Sequence, residues 1–304
     1  MDVIIAGGTG LLGTALTRRL LARGDHVVHL TRRRAPTGAP VSAVTWTPDG
    51  SVGPWAGAVE GADVVVNLAG AGLADRRWTP TRKALLRSSR IDSTRSLVAA
   101  LRASRPRPRV FVQGSGIGIY GARLDDEILT EQAPAGSDFL GRLAAEWEAA
   151  AAPADEAPCR LVLMRTGLVL TTEGGALKPM MRPFRFFVGG PIGSGAQWMP
   201  WITIDDWVSL VLWAIDTPVV AGPINASAPN PVRNREFAAA LGRALRRPSL
   251  MPVPGIALRL LFGEMADALL LGGQRAVPSK ALEAGFTFAH AELDAALAHV
   301  LGRR

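Results

Sequence analysis

The feature that most constrains the fold is a glycine-rich turn between two apolar segments near the start of the chain. Residues 3–6 form a short apolar run typical of a buried parallel strand. Residues 7–13 read Gly-Gly-Thr-Gly-Leu-Leu-Gly, leucines then recur at helical spacing, and residues 26–31 resume a strand pattern. A glycine motif within a strand–helix–strand unit is far more specific than the same motif alone. The sequence therefore predicts the first βαβ unit of an α/β fold.

The turn has the properties of a loop that binds the pyrophosphate of a dinucleotide. The first glycine permits the sharp turn, the third lets the backbone approach the phosphates, and the fourth lets the helix pack on the strand. The phosphates would then lie at the helix N-terminus, where unpaired N–H groups and the helix dipole favour an anion. An ordinary glycine-rich turn is the alternative. We predict that the cofactor contacts the whole loop, namely Gly7, Gly8, Thr9, Gly10, Leu11, Leu12 and Gly13.

The end of the second strand predicts which nicotinamide cofactor binds. Sites for NAD usually place Asp or Glu there, because a carboxylate accepts hydrogen bonds from the ribose 2′-hydroxyl. Here Thr31 is followed by Arg32, Arg33 and Arg34, and guanidinium groups bind a 2′-phosphate through charge-assisted hydrogen bonds. We therefore predict NADP(H), with Thr31, Arg32 and Arg33 at its adenosine end. For one or two of the three arginines, a solvated basic loop is the alternative.

The strongly basic composition raises the question of a nucleic-acid partner. The chain has 304 residues, a formal net charge of +8 and an isoelectric point of about 10.9. Its arginines are spread along the whole chain, however, and no basic run is interleaved with aromatic residues. We therefore predict a solvated basic surface and no nucleic-acid partner.

Cysteine, histidine and hydropathy patterns exclude several further classes of protein. The single cysteine, Cys159, excludes an intramolecular disulfide, and the four histidines show no metal-ligand spacing, so we predict no metal site. No charged leader precedes a long apolar stretch, and no apolar run reaches membrane-spanning length. We expect a cytoplasmic monomer or homodimer without a membrane partner, which acts on an unidentified small molecule.

The alternation of strands and helices continues beyond the first unit. Strands are predicted over 43–46, 62–70, 109–115, 160–165 and 223–227, and the helices between them imply a doubly wound parallel sheet. Pro80 is expected in the first turn of a long helix, and Asp205 and Asn234 are expected to cap two later helices. We predict a Rossmann domain over 1–166 plus 203–228. A substrate-cleft segment over 167–202 and the mainly helical region 229–304 would form a smaller C-terminal lobe.

Several motifs together resemble a known superfamily. They are the glycine loop, Val66-Asn67-Leu68-Ala69-Gly70, Arg77-Trp78-Thr79, Ser115-Gly116-Ile117-Gly118-Ile119-Tyr120-Gly121, Gly193-Ser194-Gly195-Ala196-Gln197-Trp198 and Trp201-Ile202-Thr203-Ile204-Asp205-Asp206. With them the chain resembles the extended short-chain dehydrogenases/reductases, and more closely their atypical, sugar-nucleotide epimerase-like branch with a C-terminal extension of unknown function. The resemblance implies NADP binding and a cleft between the two lobes. We add as candidate cofactor contacts Leu68, Ala69, Gly70, Arg90 and Arg165.

The acid/base pair usual in that superfamily has no counterpart in this sequence. The pair is Tyr-x-x-x-Lys on one helix, in which the lysine lowers the pKa of the tyrosine. The single tyrosine, Tyr120, has Leu124 four residues later, and counting onward from Ser115 puts the pair at Phe139 and Leu143. Ser115 and Tyr120 are therefore the candidate catalytic residues.

Two functions stay open at this point. The chain is either an NADP(H)-dependent oxidoreductase or epimerase-like enzyme that uses Ser115 and an unusual acid, or a non-catalytic NADP(H)-binding sensor or regulatory protein. Each candidate residue also has a structural alternative. Ser115 would be a turn residue, Tyr120 would hold a strand end, and Arg165 would form an ion pair.

Overall fold

The computed structural model describes residues 1–32, 41–156 and 159–302. Its strands are β1 (Asp2–Ala6), β2 (His26–Thr31), β3 (Ser42–Thr45), β4 (Val64–Asn67), β5 (Val110–Gly116), β6 (Ile128–Leu129), β7 (Arg160–Thr166), β8 (Leu168–Leu170), β9 (Trp198–Met199), β10 (Trp201–Thr203), β11 (Gly222–Ala226), β12 (Val232–Arg233) and β13 (Arg275–Ala276). Its helices are α1 (Leu11–Ala22), α2 (Pro80–Ala103), α3 (Phe139–Ala151), α4 (Leu177–Arg185), α5 (Ile204–Asp216), α6 (Asn234–Leu245), α7 (Gly255–Phe262), α8 (Glu264–Ala266), α9 (Ser279–Glu283) and α10 (Leu293–Val300).

Seven strands form one parallel sheet, which confirms the predicted doubly wound α/β architecture. The strand order is β3-β2-β1-β4-β5-β7-β11, and each neighbouring pair runs parallel. The chain moves outward from β1 to β3 and then returns to β4 on the other side of β1. Ligands of such sheets bind beyond the carboxyl ends of the strands where the order reverses. The loops that follow β1 and β4 therefore lie at the expected binding edge.

Both faces of the sheet are buried, and the alternation of side chains along β1 shows how. Val3 and Ile5 point to one face and pack in a cluster with Leu16 of α1. Ile4 points to the other face and packs in a cluster with Leu97 of α2. Each fully buried aliphatic side chain of this kind contributes about 1.5–3 kcal/mol relative to exposure. Burial on both faces explains why these strands read as continuous apolar runs.

One predicted helix start is confirmed and another is wrong. Pro80 is the first residue of α2, and Thr79 before it accepts a hydrogen bond from the backbone N–H of Arg82 at 3.1 Å. Asp205, in contrast, does not cap α5. Thr203 does so, because its hydroxyl accepts from the backbone N–H of Asp206 at 3.1 Å and leaves Asp205 inside the first turn.

The predicted cap at Asn234 is also wrong, by one residue. Arg233 precedes α6, and its backbone N–H donates to the Glu236 carboxylate at 2.7 Å. The side chain of Asn234 is used elsewhere, since its Oδ1 accepts from the backbone N–H of Ile192 at 2.7 Å. That bond fixes the glycine-rich segment that follows α4, a contact between distant parts of the chain that local propensity does not encode.

The segments that follow β7 build a smaller layer beside the sheet. β8 pairs with β10, β9 pairs with β12, and β13 near the end of the chain pairs with β6, which lies before β7 in the sequence. A separate apolar cluster joins α4, α6 and α10 through Met181, Leu241 and Leu297. In the described residues, no helix combines the length and apolar character needed to cross a bilayer.

Candidate functional site

The glycine loop has the backbone geometry that the sequence predicts. Gly7 has φ +80°, and a Cβ atom there would lie 2.6 Å from the Leu68 carbonyl oxygen. A Cβ on Gly13 would lie 2.4 Å from the Gly7 oxygen, so neither position accepts a side chain. Gly10 precedes α1, no side chain caps the helix, and its first turn carries no acidic residue. The loop therefore presents helix N–H groups to an anion, which fits a dinucleotide pyrophosphate.

The His29 ring packs against Gly8 of the glycine loop, a contact that the sequence did not predict. A Cβ on Gly8 would lie 2.3 Å from the His29 ring, so Gly8 is required for this contact. The Thr17 hydroxyl donates its single proton to the Gly13 oxygen at 2.7 Å and therefore accepts from His29 Nε2, 2.8 Å away. Burial lowers the pKa of His29, which favours the neutral ring with its proton on Nε2.

The structure describes two of the residues predicted at the adenosine end of the cofactor site, Thr31 and Arg32. Thr31 is the last residue of β2, and Arg32 follows it as an exposed residue. Arg33 and Arg34 lie outside the described residues. Leu68, Ala69 and Gly70 follow β4 beside the glycine loop, as the close approach of Gly7 to Leu68 shows.

Arg90 is a buried cation next to this loop. Arg90 is 8% exposed. It lies close to Gly70, since a Cβ atom on Gly70 would be 3.3 Å from the Arg90 Cζ atom. Its Nη1 donates to the Leu86 carbonyl at 3.0 Å, and its guanidinium lies over the Trp147 ring. Burial, with a further contribution from the charge of Arg82, lowers the pKa of Arg90 to about 10.

No described carboxylate forms an ion pair with Arg90. A buried charge without a counter-ion is costly, because desolvation is not repaid by an opposite charge. An anion placed between the loop after β4 and the cleft described next would supply the counter-charge that Arg90 lacks among the described residues.

A cleft of about 390 Å³ opens at the carboxyl edge of the sheet. One wall comes from β5 and α3, and the other comes from β9 and residues 268–274 of the C-terminal region. Its larger apolar side chains are Leu73, Ile117, Leu140, Leu143, Trp147, Leu168, Trp198, Met199 and Leu269. Among the described residues that line it, Arg90 is the one charged side chain.

Phe139 and Leu143, the residues that the sequence count puts at the usual Tyr and Lys positions, have different surroundings, because Leu143 lines the cleft and Phe139 does not. Phe139 lies outside the cleft lining and packs edge-on against Trp78, with ring centroids 5.0 Å apart. Leu140 and Ala144 both line the cleft, with the i, i+4 spacing that directs two side chains to one face. The described lining contains neither tyrosine nor lysine.

Ser115 lines the cleft but its proton is already engaged. Its hydroxyl donates to Glu148 Oε1 at 2.7 Å. A serine hydroxyl has one proton and two lone pairs, so Ser115 presents acceptor capacity to a ligand. Glu148, on α3, was not singled out in the sequence, because nothing local links it to a serine 33 residues away.

Arg165 is held by the same glutamate. Its Nε and Nη2 atoms each lie 2.8 Å from a Glu148 oxygen, which makes a buried bidentate ion pair. Burial alone lowers the pKa of Arg165, but the hydrogen bonds and charge of Glu148 outweigh burial and raise it above its ordinary value. This geometry supports the ion-pair alternative for Arg165, although with Glu148 as the partner.

Tyr120 is buried and does not line the cleft. Its hydroxyl donates to Asn225 Oδ1 at 2.7 Å and accepts from Arg165 Nη1 at 2.9 Å. Burial raises the pKa of Tyr120 above its ordinary value. These contacts support the structural alternative for Tyr120, which joins β11 to the end of β5.

Cys159 is buried beside β7, as the sequence predicts. Burial, followed by the nearby charge of Asp155, raises the pKa of its thiol to about 12. The thiolate is the nucleophilic form of cysteine, so Cys159 takes no part in nucleophilic chemistry.

Comparison with known proteins places this geometry in a family. Residues 3–226 match the NAD dependent epimerase/dehydratase family, and residues 253–300 match a domain of unknown function, DUF1731. Epimerase family protein Mb2239 of Mycobacterium bovis is 41% identical over 302 residues, which cover 99% of this chain and 98% of that protein.

Two solved structures are similar over the whole chain. The crystal structure of human epimerase family protein SDR39U1 (isoform 2) with NADPH is 35% identical, has a TM-score of 0.91 and covers 100% of both chains. A nucleoside-diphosphate sugar epimerase from Corynebacterium glutamicum is 33% identical with a TM-score of 0.81, and the match covers 99% of this chain and 58% of that one. The chain therefore belongs to the NAD dependent epimerase/dehydratase family, within the short-chain dehydrogenase/reductase superfamily.

Proposed function

We propose that this chain is an NADP(H)-dependent oxidoreductase that acts on a small, uncharged and largely apolar carbonyl compound or alcohol. The observation that carries the proposal is the position of Arg90. This buried cation has no described acidic partner and lies between the cofactor loops and a cleft that is otherwise uncharged. The cofactor would be the anion that Arg90 holds, and the apolar cleft would hold the substrate.

The choice of NADP(H) has two supports. The human relative SDR39U1, 35% identical over the whole chain, was crystallised with NADPH. In addition, β2 ends at Thr31 without a carboxylate and is followed by Arg32, Arg33 and Arg34. Each charge-assisted hydrogen bond to a phosphate contributes about 1.5–3 kcal/mol.

The cleft argues against a nucleotide sugar as substrate, despite the family name. A nucleoside diphosphate needs cations or several N–H donors for its two phosphates. Among the described lining residues Arg90 is the single cation, and it faces Gly70 on the cofactor side. The remaining wall is formed mainly by leucine, tryptophan and methionine side chains, which suit a flat apolar molecule.

The residues of the cleft have distinct roles in this proposal. When bound, NADPH would supply a hydride to a carbonyl carbon of the substrate, and a water molecule in the cleft would supply the proton to the oxygen. Ser115 accepts a hydrogen bond from an alcohol or amide group, because its own proton is donated to Glu148. Glu148, itself paired with Arg165, holds Ser115 in place, and the apolar wall holds the substrate in the cleft.

The experiment compares two arginines of α2. Arg90→Met removes the buried cation, whereas Arg87→Met removes an exposed arginine that pairs with Glu146. NADPH binding is measured by fluorescence titration, and loss of one charge-assisted contact predicts a Kd at least about tenfold higher for Arg90→Met. Arg87→Met should bind as the unaltered protein does. Equal affinities for all three proteins would refute the assignment of Arg90.

Turnover distinguishes the enzyme from the sensor. The unaltered protein is incubated with NADPH and a panel of apolar aldehydes, ketones and quinones, and absorbance at the nicotinamide band is followed. The proposed function is supported if the unaltered protein oxidises NADPH with a panel member and Ser115→Ala does so more slowly. Tight NADPH binding without turnover on any panel member would favour the alternative, a non-catalytic NADP(H)-binding sensor.

A further inference from the structure

The fold brings together three side chains of types that ligate metals, at the start of α5 and around α10. Asp205 lies in the first turn of α5, His290 precedes α10, and His299 lies in its last turn. One ligand atom from each lies within 4.8 Å of the other two. Asp205 Oδ2 and His299 Nε2 are 2.8 Å apart, and the two imidazole rings stack with centroids 4.2 Å apart.

The backbone around His290 is fixed by a buried carboxylate. Asp206, which is 2% exposed, accepts hydrogen bonds from the backbone N–H groups of Ala289 at 2.8 Å and His290 at 3.0 Å. The Thr203 hydroxyl donates to the same carboxylate at 3.1 Å. Asp205 and His290 are therefore positioned by one rigid element, the N-terminus of α5, before any ligand arrives.

The donor set matches a borderline divalent cation. Two imidazole nitrogens and one carboxylate oxygen are ligands that zinc prefers, with bonds of about 2.0–2.2 Å and so about 3.4 Å between neighbouring ligand atoms. The observed separations, 2.8 Å and at most 4.8 Å, lie on either side of that value. The His299 ring, whose side chain is half exposed, would have to reorient for all three separations to approach that value.

The His290 ring supports this interpretation. It stacks on His299, and neither of its ring nitrogens has a hydrogen-bond partner among the described residues. A groove of about 390 Å³ lies beside Asp205 and His299, and Arg18, Arg19 and Glu173 also line it. Arg18 and Glu173 form an ion pair, so an ion approaching through the groove meets little net charge from that pair.

We propose that Asp205, His290 and His299 form a site for a single zinc ion that links α5 to α10. The remaining coordination position is left to water. The ion joins the Rossmann sheet region to the C-terminal helix, and it therefore stabilises that helix against the body of the protein. The sequence predicted no metal site, because Asp205 is 85 positions before His290 and the two histidines are nine apart.

The chain offers a matched control. His26 and Asp2 form another exposed histidine–aspartate pair, with Nδ1 and Oδ1 2.8 Å apart, but no third ligand joins them among the residues that the structure describes. If a histidine–aspartate pair were sufficient for binding, His26→Ala would weaken zinc binding as much as His299→Ala does.

Calorimetric titration of the tag-free full-length chain with ZnCl₂ tests the site. We expect one zinc per chain, and loss of a ligand in His290→Ala, His299→Ala or Asp205→Asn should raise the Kd at least about tenfold, the lower end of second-sphere effects on metal affinity. His26→Ala should leave the Kd unchanged. Absence of a one-to-one site, or binding that survives in both His290→Ala and His299→Ala, would overturn the proposal.

Thermal unfolding gives an independent readout. At a free zinc concentration of about 100 times Kd, binding to the folded state should raise the Tm of the unaltered protein by about 5 °C. The rise should disappear in His299→Ala, measured against the zinc-free Tm of the same variant, because that change also removes the contact with Asp205 and the stack on His290. An equal rise in both proteins would also overturn the proposal.

Discussion

The buried ion pair between Arg165 and Glu148 should be the most sensitive polar contact in the protein. Arg165→Met removes two hydrogen bonds of 2.8 Å to the Glu148 carboxylate and a bond of 2.9 Å to the Tyr120 hydroxyl. The side chains of the pair are 9% and 11% exposed, so Arg165→Met leaves the Glu148 carboxyl group without its partner in a poorly solvated place. Breaking a buried pair in this way costs about 3–5 kcal/mol.

The assay is equilibrium unfolding in urea, with Arg243→Met as the matched control. Arg243 also forms a bidentate pair, with Asp294 at 2.8 and 2.9 Å, but these side chains are 61% and 63% exposed. An exposed pair contributes about 0–1 kcal/mol, because water already solvates both partners. The free energy of unfolding should therefore fall about 3–5 kcal/mol in Arg165→Met and less than about 1 kcal/mol in Arg243→Met. Equal losses would refute the reasoning from burial.

Three further predictions concern the glycine loop, its support and the cysteine. Gly13→Ala should abolish NADPH binding in a fluorescence titration, because the new Cβ would lie 2.4 Å from the Gly7 oxygen; unchanged binding would contradict the loop geometry. Because the pKa of His29 is lowered in the folded state, its stabilising contribution should be complete above about pH 6.5 and fall as pH drops below it. The urea midpoint of the unaltered protein should decline over that range more steeply than that of His29→Gln, and parallel declines would contradict the assignment. Cys159, with a thiol pKa of about 12, should resist alkylation by iodoacetamide at pH 8 until the protein unfolds; rapid labelling of the native protein would show that it is accessible.

The sequence was sufficient to predict the sheet, because the sheet depends on local patterns. The apolar run before Gly7 predicted a buried strand, and the structure places it at the centre of the sheet as β1. Proline is tolerated in a helix only at its first turn, and glycine is required where the backbone approaches another group closely, so each residue indicates one local structure. For this reason Pro80 was placed correctly in α2, and Gly7 and Gly13 were placed correctly in the loop.

The polar contacts of the site could not be predicted in the same way. Ser115 and Glu148 meet across a crossover, and Arg165 reaches the same glutamate from a third element. Nothing in the local sequence distinguishes Glu148 from the exposed Glu146 two residues earlier on α3. Likewise, the caps assigned to Asp205 and Asn234 were wrong because tertiary contacts decided which side chain served each helix end.

The cleft itself was predicted only in outline. The motifs placed it between the Rossmann sheet and the C-terminal region, where the structure has it. Its apolar character depends on which face of α3 turns inward, and the structure turns Leu140, Leu143 and Ala144 to the cleft while Phe139 packs against Trp78. A helix that presents leucine on several faces gives no sequence signal for which face that is.

Paired calorimetric titrations with NADPH and NADH test the central claim most directly. The account predicts that NADPH binds with a ratio of one per chain and at least about tenfold more tightly than NADH, since a single added charge-assisted contact to the 2′-phosphate contributes about 1.5–3 kcal/mol. Equal affinities would contradict the role given to Arg32 and its neighbours, and no heat with either cofactor would contradict the site as a whole.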